Sequence, residues 1–166
     1  MTQDNNSSNQ SDSSVETSTS GTRSHRQAVK RSGANFKCRF EESIPEGYVT
    51  LSEAEALEKL STGQRLERYY IHRLNISDAV SKNLLLRDVY IYELTMNKVD
   101  VKSTVSLQGC RIHRLYLYQS HFHESVAFKH CSVHFGHIQG CTFEQGLNAE
   151  HTKVESKLIL QQSTFK

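Results

Sequence analysis

From Leu66 to Phe165 a bulky apolar residue returns every five positions, a spacing that few folds can use. The column runs Leu66, Ile71, Ile76, then Leu86, Ile91, Met96 and Val101. It continues through Leu107, Ile112, Leu117, Phe122, Phe128, Val133, Ile138 and Phe143, and closes on Ala149, Val154, Leu160 and Phe165. A sixth residue enters at 101→107, 122→128, 143→149 and 154→160, and Ser81 alone breaks the apolar run between Ile76 and Leu86. A helix returns to one face every 3.6 residues and a strand every two, so neither holds this column on one side. A chain wound into stacked turns does, and a long fixed period is the mark of such a solenoid.

A second inward column lies two residues before each bulky position: Leu84, Val89, Leu94, Val99, Val105, Cys110, Leu115 and Ser120. It runs on through Val126, Cys131, Gly136, Cys141, Leu147, Thr152, Leu158 and Ser163. Each five-residue unit thus offers one smaller inward side chain, one bulky inward side chain and three outward ones. Four units make a square turn, so residues 21 apart should stack, Leu86 with Leu107, Phe128 and Ala149, Ile91 with Ile112, Val133 and Val154. With stacked strands about 4.7–4.9 Å apart, about five turns would make a rod on the order of 20–25 Å long.

Over roughly residues 64–166 this double column resembles the pentapeptide-repeat family. The resemblance implies an all-β fold, a right-handed quadrilateral β-helix. The Asp or Asn that the family usually carries before the bulky residue survives only at places such as Asp100 and Asn148, a departure from the family pattern.

The rest of the chain divides around that solenoid. Residues 1–22 are almost wholly Ser, Thr, Asn, Gln and acidic, with Val15 the only aliphatic side chain after Met1. Such a segment cannot bury enough surface to offset its ordering entropy, and residues 1–32 are expected to form a disordered tail. It reads as a solubilising tail, or alternatively as an uncleaved export signal, since the N-termini of type III effectors have this composition. Arg23, Arg26, Lys30 and Arg31 form its basic end, without aromatic interleaving, and read as a solvated linker. Residues 33–50, with Phe36, Phe40, Ile44, Pro45 and Tyr48, are expected to form an irregular arm. A short helix is predicted within 51–63: Ser52 and Glu55 make a capping box and Gly63 supplies a stop. Leu57 and Leu60 would face inward, and the helix would cap the open edge of the first turn.

Bulk properties exclude several function classes. Between residues 51 and 166, 14 Lys and Arg against 12 Asp and Glu leave +2. That balance disfavours both nucleic-acid binding and the alternative of a DNA-mimicking, topoisomerase-protecting rod, which needs a sustained negative field. No run reaches the ~18 apolar residues of a membrane span, and no Sec-type signal peptide is evident. No nucleophile elbow, phosphate loop or HExxH motif is present, so the chain is not expected to be an enzyme and no cofactor or small-molecule substrate is implied.

Three of the four cysteines fit the core. Cys110, Cys131 and Cys141 fall in the smaller inward column and lack metal-ligand spacing, although Cys110 and Cys131, one turn apart, are close enough for a disulfide. The histidines mostly fall at outward positions; His113 should stack on His134 beneath Tyr92, and His130 on His151, and no metal site is expected from these pairs. Glu93, Glu124 and Glu144 read as isolated solvated acids. The best partner surface is an aromatic and basic patch: Tyr90 and Tyr92 flank Ile91, Tyr116 and Tyr118 flank Leu117, and Arg111, His113 and Arg114 lie between.

The expectation is therefore a non-catalytic scaffold with an unidentified protein partner, either in a bacterial cytoplasm or translocated into a host cell. A second contact is expected at the C-terminal end. There Leu160 and Phe165 would close the last turn with its apolar cross-section open, and two copies meeting end to end would form a homodimer.

Overall fold

The computed structural model describes residue 44 and residues 46–166. The tail expected over 1–32 and most of the arm expected over 33–50 lie outside the described residues. Two short elements come first, β1 (Val49–Thr50) and helix α1 (Glu53–Ser61). The first coil is β2 (Leu66–Glu67) and β3 (Tyr69–Ile76), and the second is β4 (Leu84–Arg87), β5 (Tyr90–Asn97) and β6 (Asp100–Val101). The third is β7 (Val105–Gln108), β8 (Arg111–Tyr118) and β9 (His121–Phe122); the fourth is β10 (Val126–Lys129), β11 (Ser132–Gln139) and β12 (Thr142–Phe143). The last is β13 (Leu147–Asn148), β14 (Lys153–Gln161) and β15 (Thr164–Phe165).

Equivalent strands of successive coils pair in parallel, in the orders β1-β3-β5-β8-β11-β14, β13-β10-β7-β4-β2 and β15-β12-β9-β6. The fold is a parallel β-solenoid. The broad sheet has six strands, giving about six turns where the repeat predicts about five. The extra rung is β1, which pairs with Tyr69 and Tyr70 from ahead of the helix and outside the apolar column.

Burial along one coil shows why five is the period. In β8 the buried core residues are Ile112, then Leu115 and Leu117, a three-residue step followed by a two-residue step. The longer step is a corner, so the long strand covers two faces. Val105 with Leu107, and Ser120 with Phe122, supply the other two, and each face sends one pair inward. The stack is in register: Leu86, Leu107 and Phe128 are paired neighbours, as are Ile91, Ile112, Val133 and Val154.

The six-residue steps have two structural forms. The step at 101→107 spans the turn between β6 and β7, where Lys102, Ser103 and Thr104 lengthen the corner. The step at 154→160 is a bulge inside β14, since Val133 pairs with Val154 but Phe135 pairs with Lys157.

The gap in the column closes differently from the sequence expectation. Ser81 is exposed and Val80 takes its slot, bridging to Val101 with Val80 N–H donating to the Asp100 carbonyl at 3.0 Å. A four-residue step from Ile76 puts an apolar side chain under Val101, and the loop before Leu84 absorbs the displaced residue.

Polar members of the smaller column have a shared purpose. Ser120 Oγ accepts from Val99 N at 3.1 Å, Thr152 Oγ1 from Cys131 N at 3.3 Å and Ser163 Oγ from Cys141 N at 3.2 Å. Each hydroxyl thus satisfies a backbone donor one coil earlier, and then donates to a carbonyl, as Ser120 does to Tyr118 at 2.9 Å. Gly136 is small for a different reason. A methyl there would lie 2.6 Å from Leu158 Cδ1, so Leu158 fills the space.

Helix α1 carries the expected capping box, Glu55 N donating to Ser52 Oγ and Ser52 N to Glu55 Oε2. It ends in a Schellman arrangement: Gly63 (φ +79°) donates to Leu60 and Gln64 donates to Lys59. The inward face centres on Ala56 and Leu60, with Leu57 half-buried at its margin. Glu53 accepts from Asn75 N at 2.8 Å and ties the helix to β3.

Candidate functional site

The broad sheet gathers the residues that the sequence marks as a partner surface. Outward positions of neighbouring long strands align one above another, so rings stack at the strand repeat. His72, Tyr92, His113 and His134 form one ladder with centroids 4.8–4.9 Å apart. Arg111 lies over the Tyr90 ring at 4.9 Å and Arg114 over Tyr92 at 5.4 Å. Tyr116 and Tyr118 sit 5.9 Å apart, and the Tyr118 hydroxyl meets His137 Nδ1 at 3.1 Å. The seven residues of the expected patch, Tyr90, Tyr92, Arg111, His113, Arg114, Tyr116 and Tyr118, lie on β5 and β8, adjacent strands of one sheet.

Exposure within this patch is uneven. Arg111 and Arg114 are exposed and the four tyrosines half-buried, but His113, at an outward position, is only 5% exposed. Its ring is enclosed between Tyr92 and His134 where the long strand turns its corner. Glu93 is not an isolated acid; it pairs with Arg73 at 3.3 Å and Arg114 at 3.9 Å.

Burial, and after it the charges of His134 and Arg114, hold the His113 pKa below the usual histidine value, with Glu155 opposing weakly. The unfolded chain therefore binds a proton at His113 more readily than the folded one. Stability from this group is present in full above about pH 6.5 and falls as pH drops through the folded value. Urea midpoints should hold between about pH 7.5 and 6.5 and decline as the pH is lowered further. The decline should be shallower in His113→Phe, which keeps the stacked ring; equal slopes would contradict this account.

The final coil is a second candidate surface. Val154, Leu158, Leu160 and Phe165 pair with Val133, Gly136, Ile138 and Phe143 in the coil before. The earlier set is buried; the final four are 39%, 41%, 52% and 43% exposed. On the same coil β13, β14 and β15 each end their sheet in the described strand order. One end of the solenoid thus offers apolar side chains and strand edges together.

The described cysteines belong to the core. Cys110, Cys131 and Cys141 are free and buried. The hydrogen bond to Cys131, and then burial, push the Cys110 thiol well up, and Cys110 packs in the core. A cleft of about 240 Å³ lies between α1 and the loop before β4, lined by Leu57, Leu60, Asn75, Asp78 and Lys82 among others. No cysteine or histidine lines it. Glu144 is not an isolated acid either: His121 and His123, on either side of Phe122, converge with Asp100 and Glu144, a cluster the sequence expectations did not name. The pattern His-x-His on a strand could have marked it.

No family model, curated protein or solved structure matches the chain. Among the described residues no helix is long and apolar enough to cross a membrane.

Proposed function

We propose that this chain is a non-catalytic protein-interaction scaffold built on degenerate pentapeptide repeats. The observation that supports the reading is the final coil. Four of its inward side chains, Val154, Leu158, Leu160 and Phe165, continue the core columns yet remain two-fifths to one-half exposed. Contiguous apolar surface beside unpaired strand edges is an arrangement that folded proteins usually cover.

The occupant is a second copy of the chain. What fits an open coil is a coil of the same cross-section, and the chain carries one. Twofold pairing would bury both apolar faces and close the assembly at two, the commonest symmetry of homo-oligomers. The aromatic and basic patch on β5 and β8 stays outside that contact and is left for a different protein partner. Arg111, Arg114 and the four tyrosines offer it cation–π and hydrogen-bonding groups on a rigid sheet.

Light scattering on the native chain and on Phe165→Asp tests the pairing. A dimer at tens of micromolar is expected for the native chain and a monomer for the variant, with the β-type circular dichroism retained. A native monomer, or a dimer indifferent to the charge at 165, would overturn the reading.

A further inference from the structure

On the narrow side of the solenoid, His121-Phe122-His123 sends Phe122 into the core and leaves an imidazole on either side. The two rings close on each other, centroids 4.1 Å apart and planes 13° from parallel. The coil before supplies Asp100, whose Oδ1 lies 2.6 Å from His123 Nε2. The coil after supplies Glu144, whose Oε1 lies 2.8 Å from His121 Nε2. One ligand atom from each of Asp100, His121 and His123 falls within 4.8 Å of the others. This is the one group of three such residues among the described residues.

We propose that Asp100, His121 and His123 form a binding site for a borderline divalent transition ion of the zinc type, with Glu144 orienting His121 from the next coil. Two neutral imidazoles and a carboxylate are a donor set suited to such an ion, and a fourth position is left for water. The backbone beneath is rigid: β9 is paired on both sides, to β6 and β12, and Phe122 stacks on Phe143 at 4.7 Å. The side chains above it are about two-fifths exposed, so an ion reaches them without the coil opening. A carboxylate bonded to a ligating histidine is the usual outer support of such sites, and Glu144 supplies one.

Other histidine pairs lack this convergence. His130 and His151 stack at 5.0 Å with Glu150 3.8 Å from His151, and His113 is enclosed in its ring ladder. Two lysines work against the ion. Lys102 lies 3.5 Å from Asp100 and Lys166 2.8 Å from Glu144. Both are exposed and free to swing outward, so they tune affinity and do not block the site.

The test is a titration of the full chain with Zn²⁺ against a chromophoric chelator at about pH 7.5, since proton competition weakens metal binding at lower pH. Saturable binding of a single ion is expected. His121→Gln and His123→Gln should each abolish it, and Glu144→Gln should weaken it by about 10- to 100-fold. Lys102→Met should tighten it, and His130→Gln should leave it unchanged. Absence of saturable binding, or binding that survives both His121→Gln and His123→Gln, would overturn the proposal. A measurement on the unaltered chain guards against misfolded variants. Paramagnetic Ni²⁺ should broaden the imidazole proton signals of His121 and His123 before those of His130 and His151; the reverse order would also overturn it.

Discussion

Phe143→Ala should destabilise the protein by about 3–5 kcal/mol, the cost of emptying a fully buried aromatic site. Phe143 is 0% exposed and is held between two rings, Phe122 at 4.7 Å and Phe165 at 5.0 Å, each within 2° of parallel. The strand repeat sets those distances, so neighbouring coils cannot close over the gap without breaking the ladders above and below. A thin core also has few other layers to share the loss. Thr142→Ala, one residue away and outward, should stay within about 0.5 kcal/mol. Urea melts of the two variants decide the matter, and equal losses would contradict the inward register.

Ser120→Ala should cost about 1–3 kcal/mol although it removes a single oxygen. The side chain is 2% exposed; its hydroxyl accepts from Val99 N at 3.1 Å and donates to the Tyr118 carbonyl at 2.9 Å. Alanine leaves the Val99 N–H buried without its acceptor, and an unsatisfied buried donor bears the full desolvation cost. Ser120→Thr, which keeps the oxygen, should recover most of the loss. Ser106→Ala, at a half-buried outward position on β7, should show little change. Alanine at 120 behaving like alanine at 106 in urea melts would show that this hydrogen bond contributes nothing.

The solenoid was legible because burial in a stacked coil is a strictly periodic demand. Each of the residues from Leu84 to Phe143 in the two inward columns is buried as the spacing requires. What escaped the period were departures that depend on the backbone path. Val80 replaces Ser81 because a short step serves the core better than an even one. The rung at Val49–Thr50 is too brief and too polar to show a pattern. The bulge in β14 reads as a six-residue step, but spacing alone does not distinguish a bulge from a long turn.

The candidate surfaces were legible in membership and less so in exposure. Tyr90, Tyr92, Tyr116 and Tyr118 lie on neighbouring strands as their alternation demands. The enclosure of His113 depends on a corner between Ile112 and Leu115, which no count of outward residues reveals. The His121 and His123 cluster went unseen for a related reason. Its bonds to Asp100 and Glu144 run diagonally between coils, whereas the 21-residue stack brings Asp100 beside His121. Alignment by period finds neighbours in register and misses those one step across.

The scaffold reading rests on two copies meeting through the final coil, and an isotope-filtered NOESY on a mixture of labelled and unlabelled chains tests it most directly. Intermolecular contacts are predicted among Val154, Leu158, Leu160 and Phe165, with none reaching Tyr116 or Tyr118. Contacts from the tyrosine patch in their place, or no intermolecular contacts at a concentration where the chain is a dimer by scattering, would contradict the account.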